Sequence, residues 1–448
     1  MEASARLIET VRDLVESGRR ERLAQVLEEA HAADVAAAMR DLPVSDQVTV
    51  FRLLAREQSG AVLRELDDQT LSELARVLDP MELSGIVERM PADDAAQVVE
   101  ELPEEQAEQV LDLMKEEKSE EVQELLEYGE KTAGRIMSPD FLAVYEGQSV
   151  AQAIEQVRKS PVAETAQTIY VVDEHEHLVG TLPWRRLVTA DPAAPVGLLR
   201  QEEVVSVTPE TDQEEVAQLV AKYDLVSIPV VDHDHRFLGT ISVDDVIDVI
   251  REEATEDIQR LGGAAGDETV FDPPSAVFSK RLVWRLINLG TAILAASVIG
   301  LFEGSIKELA TLAIFMPIVA SMGGIGTTQT ATVVIRGLAL GDMTRAHVWR
   351  VLWKELQLGL TTGAANAVVM GAIAYLWKGQ KLLAVIIGAS LILNLLVAAV
   401  VGVLIPLALK SFRVDPAIAS SVIITTFTDV CGFFTFLGLA TLLIRFLL

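Results

Sequence analysis

Five apolar runs, near residues 282–303, 307–340, 355–377, 382–409 and 416–444, constrain this chain more than any other feature. Each is long enough to cross about 30 Å of hydrocarbon, which takes about 20 helical residues. Inside a bilayer every backbone polar group needs an internal partner, so such runs must be helices. The preceding residues belong to a different solvent. Up to Asp272 there are 60 acidic and 24 basic residues, net −36, whereas the remainder holds 6 and 13, net +7. The expected fold class is therefore a multidomain membrane protein, with a soluble acidic body ahead of a five-helix transmembrane domain. The opening segment "MEASARLIETVRDLVESGRRERL" is charged and lacks an apolar signal region, so the body is expected in the cytoplasm. That topology puts Arg281, Arg285, Arg336, Arg345, Arg350, Lys354, Lys410 and Arg413 inside. Lys307, Lys378, Lys381 and Arg445 fall outside, which gives an exterior C-terminus in a plasma (inner) membrane. A polyacidic surface disfavours nucleic acid and anionic lipid and favours cations. The lone cysteine, Cys431, excludes an intrachain disulfide or a thiolate cluster.

The soluble part divides in turn. Residues 1–128 read as an acidic helical domain of short helices with breaks at Pro43, Pro80, Pro91 and Pro103. Residues 129–250 hold a repeat: "IYVVDEHEHLVGTL" from Ile169 and "IPVVDHDHRFLGTI" from Ile228 align without a gap at an offset of 59. Each unit is a β-rich run, an acidic and histidine-containing turn, a second strand ending in Gly-Thr, and a helix. This resembles a tandem pair of cystathionine-β-synthase-type (CBS) domains, with repeats near 133–193 and 196–250. Such α/β pairs act as ligand sensors, and some bind adenine nucleotides with a Ser or Thr and an Asp after the Gly-Thr. The resemblance puts Ser242 and Asp245 on those positions, where the first repeat has Pro183 and Arg186. "DVIDVIREEATEDIQRLGG" then reads as a long acidic helix, leading through a linker to residue 279.

Two stretches of the membrane half are unusual for helix facing lipid. "PIVASMGGIGTTQTATVVIRG", from Pro317, concentrates proline, glycine and hydroxyl residues, a pattern for irregular backbone beside a wet cavity or for tight packing. "IITTFTDVCGFFTFLGLA", from Ile423, carries Asp429 at mid-span, at a cost of about 2.5–3.5 kcal/mol on insertion scales. No base in the apolar spans pairs with it. A bound cation, a proton site and a protonated interhelical bond remain open. Oxygen-only surroundings suit hard ions such as Mg²⁺, Ca²⁺ or Mn²⁺.

The order of parts, with "TDQEEVAQLVAKYD", "VDDVIDVIREEATEDI", "MGGIGTTQTATVVIRGLALGD" and "VDPAIASSVIITTFTDVCGFF", resembles the MgtE family of magnesium channels or transporters over essentially the whole chain. The resemblance implies a homodimer whose pore binds hydrated Mg²⁺ at Asp429, with Asp415 a further ion position. It makes the helix after the CBS pair a plug. It also implies regulatory Mg²⁺ at Asp93, Asp212, Glu214, Asp224, Asp245, Asp248, Glu253, Glu256 and Asp257. Pore-lining candidates are Gly323, Gly324, Thr327, Thr328, Gln329, Ser421, Thr425 and Gly432. Ile325 stands where relatives have Asn, and Ala61 and Gln97 stand where relatives can be acidic.

The charges supply a mechanism of their own. A domain of net −36 repels itself, divalent ions draw its parts together, and a helix tied to the first span carries that compaction to the pore. The expected function is Mg²⁺ uptake under negative feedback, with ATP as a candidate modulator. The alternatives are a proton-coupled carrier of divalent ions such as Mn²⁺ or Co²⁺, and a membrane-tethered nucleotide sensor. No hydrolase or transferase constellation is visible, and "GGIGTTQT" lacks the Gly-Lys-Ser/Thr ending of a phosphate loop, so no enzyme is expected. Two histidine pairs, His175/His177 and His233/His235, recur at the same repeat positions with Asp or Glu between, as exposed hairpin residues or, less favoured, as a soft-metal site.

Overall fold

The computed structural model describes residues 2–270, 272–412 and 414–447. Of the residues named above, Arg413 lies outside them, and so do the side chains of Arg345, Ser421 and Arg445. The chain forms two compact units, Met1–Ile250 and Arg251–Leu448.

Short helices fill the first unit up to Glu127, from Glu2–Glu16 to Glu116–Glu127. The prolines mark the breaks by starting helices. Pro43, Pro91 and Pro103 precede their helices as caps, and Pro80 is the first residue of Pro80–Val87. A proline costs nothing there, because the first turn's N–H groups have no intrahelical acceptor. The leucine, valine and alanine face of these helices continues into the second repeat as one core, from Val11 to Val249.

The repeat is real down to the backbone. β1 (Ala143–Tyr145) pairs in parallel with β2 (Ile169–Val172), and β2 pairs antiparallel with β3 (Leu178–Leu182). β4 (Ser227–Val231) pairs antiparallel with β5 (Phe237–Ser242), and a single bridge from Val207 to Val230 stands in for the β1 pairing. Both hairpins shift register at equivalent places, Val171/Val172 and Val230/Val231. The Gly-Thr signature also has a cause. A Cβ on Gly180 would sit 2.7 Å from the Gln201 carbonyl, and one on Gly239 2.7 Å from that of Ser138, so only glycine lets the crossing segment bridge the neighbouring threonine. Tyr170 joins the repeats, its hydroxyl 2.7 Å from Ser227 Oγ and 2.9 Å from Thr240 Oγ1.

The histidines depart from the expectation. At the offset of 59, His175 and His177 stand over Asp234 and Arg236. The backbone agrees, since the left-handed residues are Glu176 (φ 66°) and His235 (φ 63°). The two pairs therefore do not occupy the same repeat positions.

The connecting helix, Val243–Leu261, runs from the first unit into the second. Five helices long and apolar enough to cross a membrane follow: Pro274–Leu301, Thr311–Ala339, Val348–Lys378, Lys381–Ser411 and Pro416–Leu447. A short helix, Glu303–Glu308, separates the first two, so the second begins later than its hydropathy implies. The expected irregular backbone around Pro317 is absent. Thr311–Ala339 is one continuous helix with Pro317 inside it, and its small and hydroxyl residues serve packing and back-bonding within it.

Candidate functional site

Acidic residues converge where the helical domain meets the second repeat. Asp93 and Asp94 open the helix Ala92–Glu100, and Asp244 and Asp245 open the connecting helix, so four carboxylates occupy two first turns, where helix dipoles favour negative charge. Arg64 lies among them, its Nη1 3.4 Å from Asp94 Oδ1. Ser138 donates to Asp93 at 3.1 Å, and the Ser242 hydroxyl donates to Asp245. One arginine does not balance this group. Burial, then Asp94 and Asp245, push the Asp93 carboxyl from 3.8 up to about 7. Burial also raises Asp94 and Asp245. Crowded and desolvated carboxylates of this kind hold their protons to higher pH than free ones do. Asp93 and Asp245 were named from the sequence, whereas Asp94 was missed. The like-charge step "DD" was its only signal.

The other candidates ahead of the spans are dispersed. Asp212 caps the helix Gln213–Tyr223, accepting from the Glu214 amide at 2.8 Å, and Asp224 ends that helix in a left-handed conformation. Asp248 is exposed, and Glu253 is half-buried.

In the second unit the end of the connecting helix packs on the spans. Leu261 lies against Ala331 and Ile335 of the second span and Ala417 and Ile424 of the last. Arg260 pairs with both Glu256 and Asp415, so a guanidinium sits between two of the carboxylates assigned to ions. Asp415 also caps the last span through the Ala417 amide at 2.7 Å. Burial, then the Asp415 charge, raise the carboxyl of Asp257. A cavity of about 350 Å³ beside this joint is lined by Gly262, Gly263, Asn288 and Thr425, among others.

Within the spans the candidates separate into two sets. Gly324, Thr328, Gln329 and Thr425 remain accessible, whereas Gly323, Thr327 and Gly432 are buried. Beside the two buried glycines is Asn394 of the fourth span, fully buried and donating to the Val319 carbonyl at 2.8 Å. A Cβ on Gly323 would lie 2.2 Å from Asn394 Nδ2, and one on Gly432 2.8 Å. Both glycines thus make room for an amide that sequence reasoning missed. Glu355 was missed also; it is buried, accepts from Thr330 Oγ1 at 2.9 Å and meets Lys354 Nζ at 3.1 Å.

Asp429 is half-buried, and among the described residues no lysine or arginine pairs with it. Its neighbours Thr426 and Thr428 donate to backbone carbonyls of their own helix. Thr428 is fully buried and Thr426 half-buried, so of these two only the Thr426 oxygen keeps an accessible lone pair for a hard cation or its hydration water.

The family model described as a divalent cation transporter, MgtE, matches residues 316–439. The MgtE intracellular N domain matches residues 30–131, and the CBS domain matches 133–193 and 198–252. The chain is 38% identical over 321 residues to the magnesium transporter MgtE of Thermus thermophilus, 71% of each protein. It is 34% identical over 322 residues to that of Bacillus subtilis, again 71% of each. Among solved structures, the cytosolic domain of the Mg²⁺ channel MgtE in complex with ATP aligns at a TM-score of 0.52 and 36% identity, covering 54% of this chain and 99% of that one. The soluble part of a magnesium transporter aligns at a TM-score of 0.51 and 26% identity, covering 56% and 99%. With its parts matched in this order and five membrane-length helices, the chain belongs to the MgtE family of divalent cation transporters and is a multi-pass membrane protein.

Proposed function

We propose that this chain carries Mg²⁺ into the cell as a homodimeric channel whose ion path passes Asp429, and that cytosolic Mg²⁺ closes it. The observation that carries the feedback reading is the cluster of Asp93, Asp94 and Asp245, in which burial first and then the neighbouring carboxylates push Asp93 up to about 7. At neutral pH such a group favours any divalent ion that relieves the repulsion, and binding there draws the helical domain onto the second repeat. The connecting helix begins at this cluster and ends against the second and last spans, so it is the element that carries the signal. Asp212, Glu214, Asp224, Asp248, Glu253, Glu256 and Asp257 are further regulatory candidates along the same route. An N-terminus inside and a C-terminus outside complete the topology. Entry needs no ATP, since an inside-negative 100 mV is worth about 4.6 kcal/mol to a divalent ion.

Ion flux into liposomes, with Mg²⁺ varied on the cytosolic face, tests both parts. Asp429→Ala should abolish flux, and Asp93→Asn with Asp245→Asn should raise the Mg²⁺ needed for inhibition several-fold. Flux unchanged in Asp429→Ala removes the pore assignment. Flux that follows a proton gradient instead of voltage establishes a carrier.

A second reading concerns ATP. The hydroxyl of Ser242 donates to Asp245 at the positions that resemble the Ser/Thr and Asp of nucleotide-binding CBS domains, and a 36% identical cytosolic domain was solved with ATP. Asp245 would then serve both ligands, so ATP and Mg²⁺ at the cluster should affect one another's affinity.

A further inference from the structure

The turn between β2 and β3 gathers ligating side chains that the acidic cluster and the ion path do not use. Asp173, His175 and His177 each place one ligand atom within 4.8 Å of the others. The carboxylate is fixed first: Asp173 Oδ1 accepts from the amides of His175 at 2.8 Å and His177 at 2.9 Å. Its Oδ2 lies 2.9 Å from His177 Nδ1. In the tautomer that carries its proton on Nε2, His177 turns its Nδ1 lone pair toward Asp173 Oδ2, and an ion between the two takes the place of that hydrogen bond. The His175 ring lies 5.9 Å from that of His177 and within 24° of parallel, and it is exposed.

The second repeat shows that the turn does not need the imidazoles. Asp232 makes the same two bonds, to the amides of Asp234 at 2.9 Å and Arg236 at 2.8 Å, with Arg236 in place of His177. The turn is complete without a histidine pair, so the pair in the first repeat is available for chemistry. The two turns also brace each other. Leu178 donates to the His235 carbonyl and Phe237 to that of Glu176, both at 3.0 Å, which fixes the backbone under the three side chains.

We propose that Asp173, His175 and His177 form a site for a borderline divalent ion of the Zn²⁺, Co²⁺ or Ni²⁺ kind, separate from the all-oxygen sites assigned to Mg²⁺. Two imidazoles and one carboxylate match these ions and not Mg²⁺, which prefers oxygen and gives up its water reluctantly. Ligand atoms in such a site stand about 3.3 Å apart for bonds of about 2.0–2.1 Å. Rotation of the exposed His175 closes that gap, and water fills the remaining positions.

The test is calorimetric titration of Zn²⁺ into the full-length, tag-free protein in detergent, with millimolar Mg²⁺ present to fill the oxygen sites. One Zn²⁺ per chain is expected, insensitive to Mg²⁺. His175→Ala should weaken it at least tenfold. His177→Asn, which keeps a donor for Asp173 and removes the ligand, should do the same. A combined His233→Ala and His235→Ala variant should bind as the native chain does. No saturable Zn²⁺ binding, native affinity in His175→Ala and His177→Asn, or loss confined to the His233/His235 variant would each overturn the assignment.

Discussion

Replacing Asp93 by Asn removes the charge that the acidic cluster tolerates least, and the size of the effect follows from the surroundings. Burial and the neighbouring carboxylates move this group from 3.8 to about 7. That displacement corresponds to about 4 kcal/mol, and we halve it to about 2 kcal/mol because the residue is partly exposed to screening solvent. The sign is set by which state holds the proton. The unfolded chain releases it near pH 4 and the folded chain near pH 7, so between these values the folded state binds more protons and stability falls as pH rises. The cost is absent below about pH 4 and fully present above about pH 7. In Mg²⁺-free buffer at pH 8, Asp93→Asn should therefore stabilise the cluster. Hydrogen exchange of the Ala92–Glu100 amides, corrected for intrinsic rates, should slow about 30-fold, the equivalent of about 2 kcal/mol. At pH 5 the difference should shrink to roughly a third, and it should vanish only below about pH 4, where the unfolded chain is protonated as well. Mg²⁺ should protect the native chain, by about 2.7 kcal/mol at a hundred times its dissociation constant, and protect the variant far less. Faster exchange in Asp93→Asn than in the native chain at pH 8 without Mg²⁺ would refute the reasoning, since the group would then be a net stabiliser.

Three further perturbations probe other joints. Arg260→Ala leaves Glu256 and Asp415 without their shared guanidinium, so the end of the connecting helix is held less firmly and inhibition of flux should need more Mg²⁺; an unchanged inhibition curve counts against the joint. Gly323→Ala drives a methyl into Asn394 and should cost about 1–3 kcal/mol, with Asn394→Ala relieving part of it. Folded yield in mild detergent reads that double-mutant cycle, and strict additivity would show that the two residues do not meet. Tyr170→Phe removes two hydrogen bonds, yet Ser227 still bonds Thr168 and Thr240 still bonds the Ile228 carbonyl. The loss should therefore stay near about 1 kcal/mol, seen as faster exchange in β2 and β4, and a cost several times larger would mean the hydroxyl network is not shared in this way.

What the sequence discloses depends on whether the governing interaction is local or periodic. The spans are legible because hydrocarbon imposes length and apolarity on every residue of a segment. The repeat is legible because each feature recurs at one offset, from the Gly-Thr of Gly180 and Gly239 to the aspartates that close the two turns. Residues that act through a distant partner leave no such trace. Asn394 resembles any small polar residue in an apolar run until Gly323 and Gly432 are brought against it. Arg260 resembles one more charge on an acidic helix until Asp415 arrives from 155 positions away.

The same distinction sharpens the reading of the membrane carboxylates. Glu355 is more buried than Asp429, so burial alone does not single out the carboxylate proposed for the ion path. Glu355 lies in the second turn of its span, with Thr330 and Lys354 answering its two oxygens, and that pairing offsets its desolvation as a structural group. Asp429 lies near the middle of its helix and has no basic partner among the described residues. If the ion path passes Asp429 as proposed, a carboxylate that no basic side chain neutralises is one that a passing cation can occupy and leave.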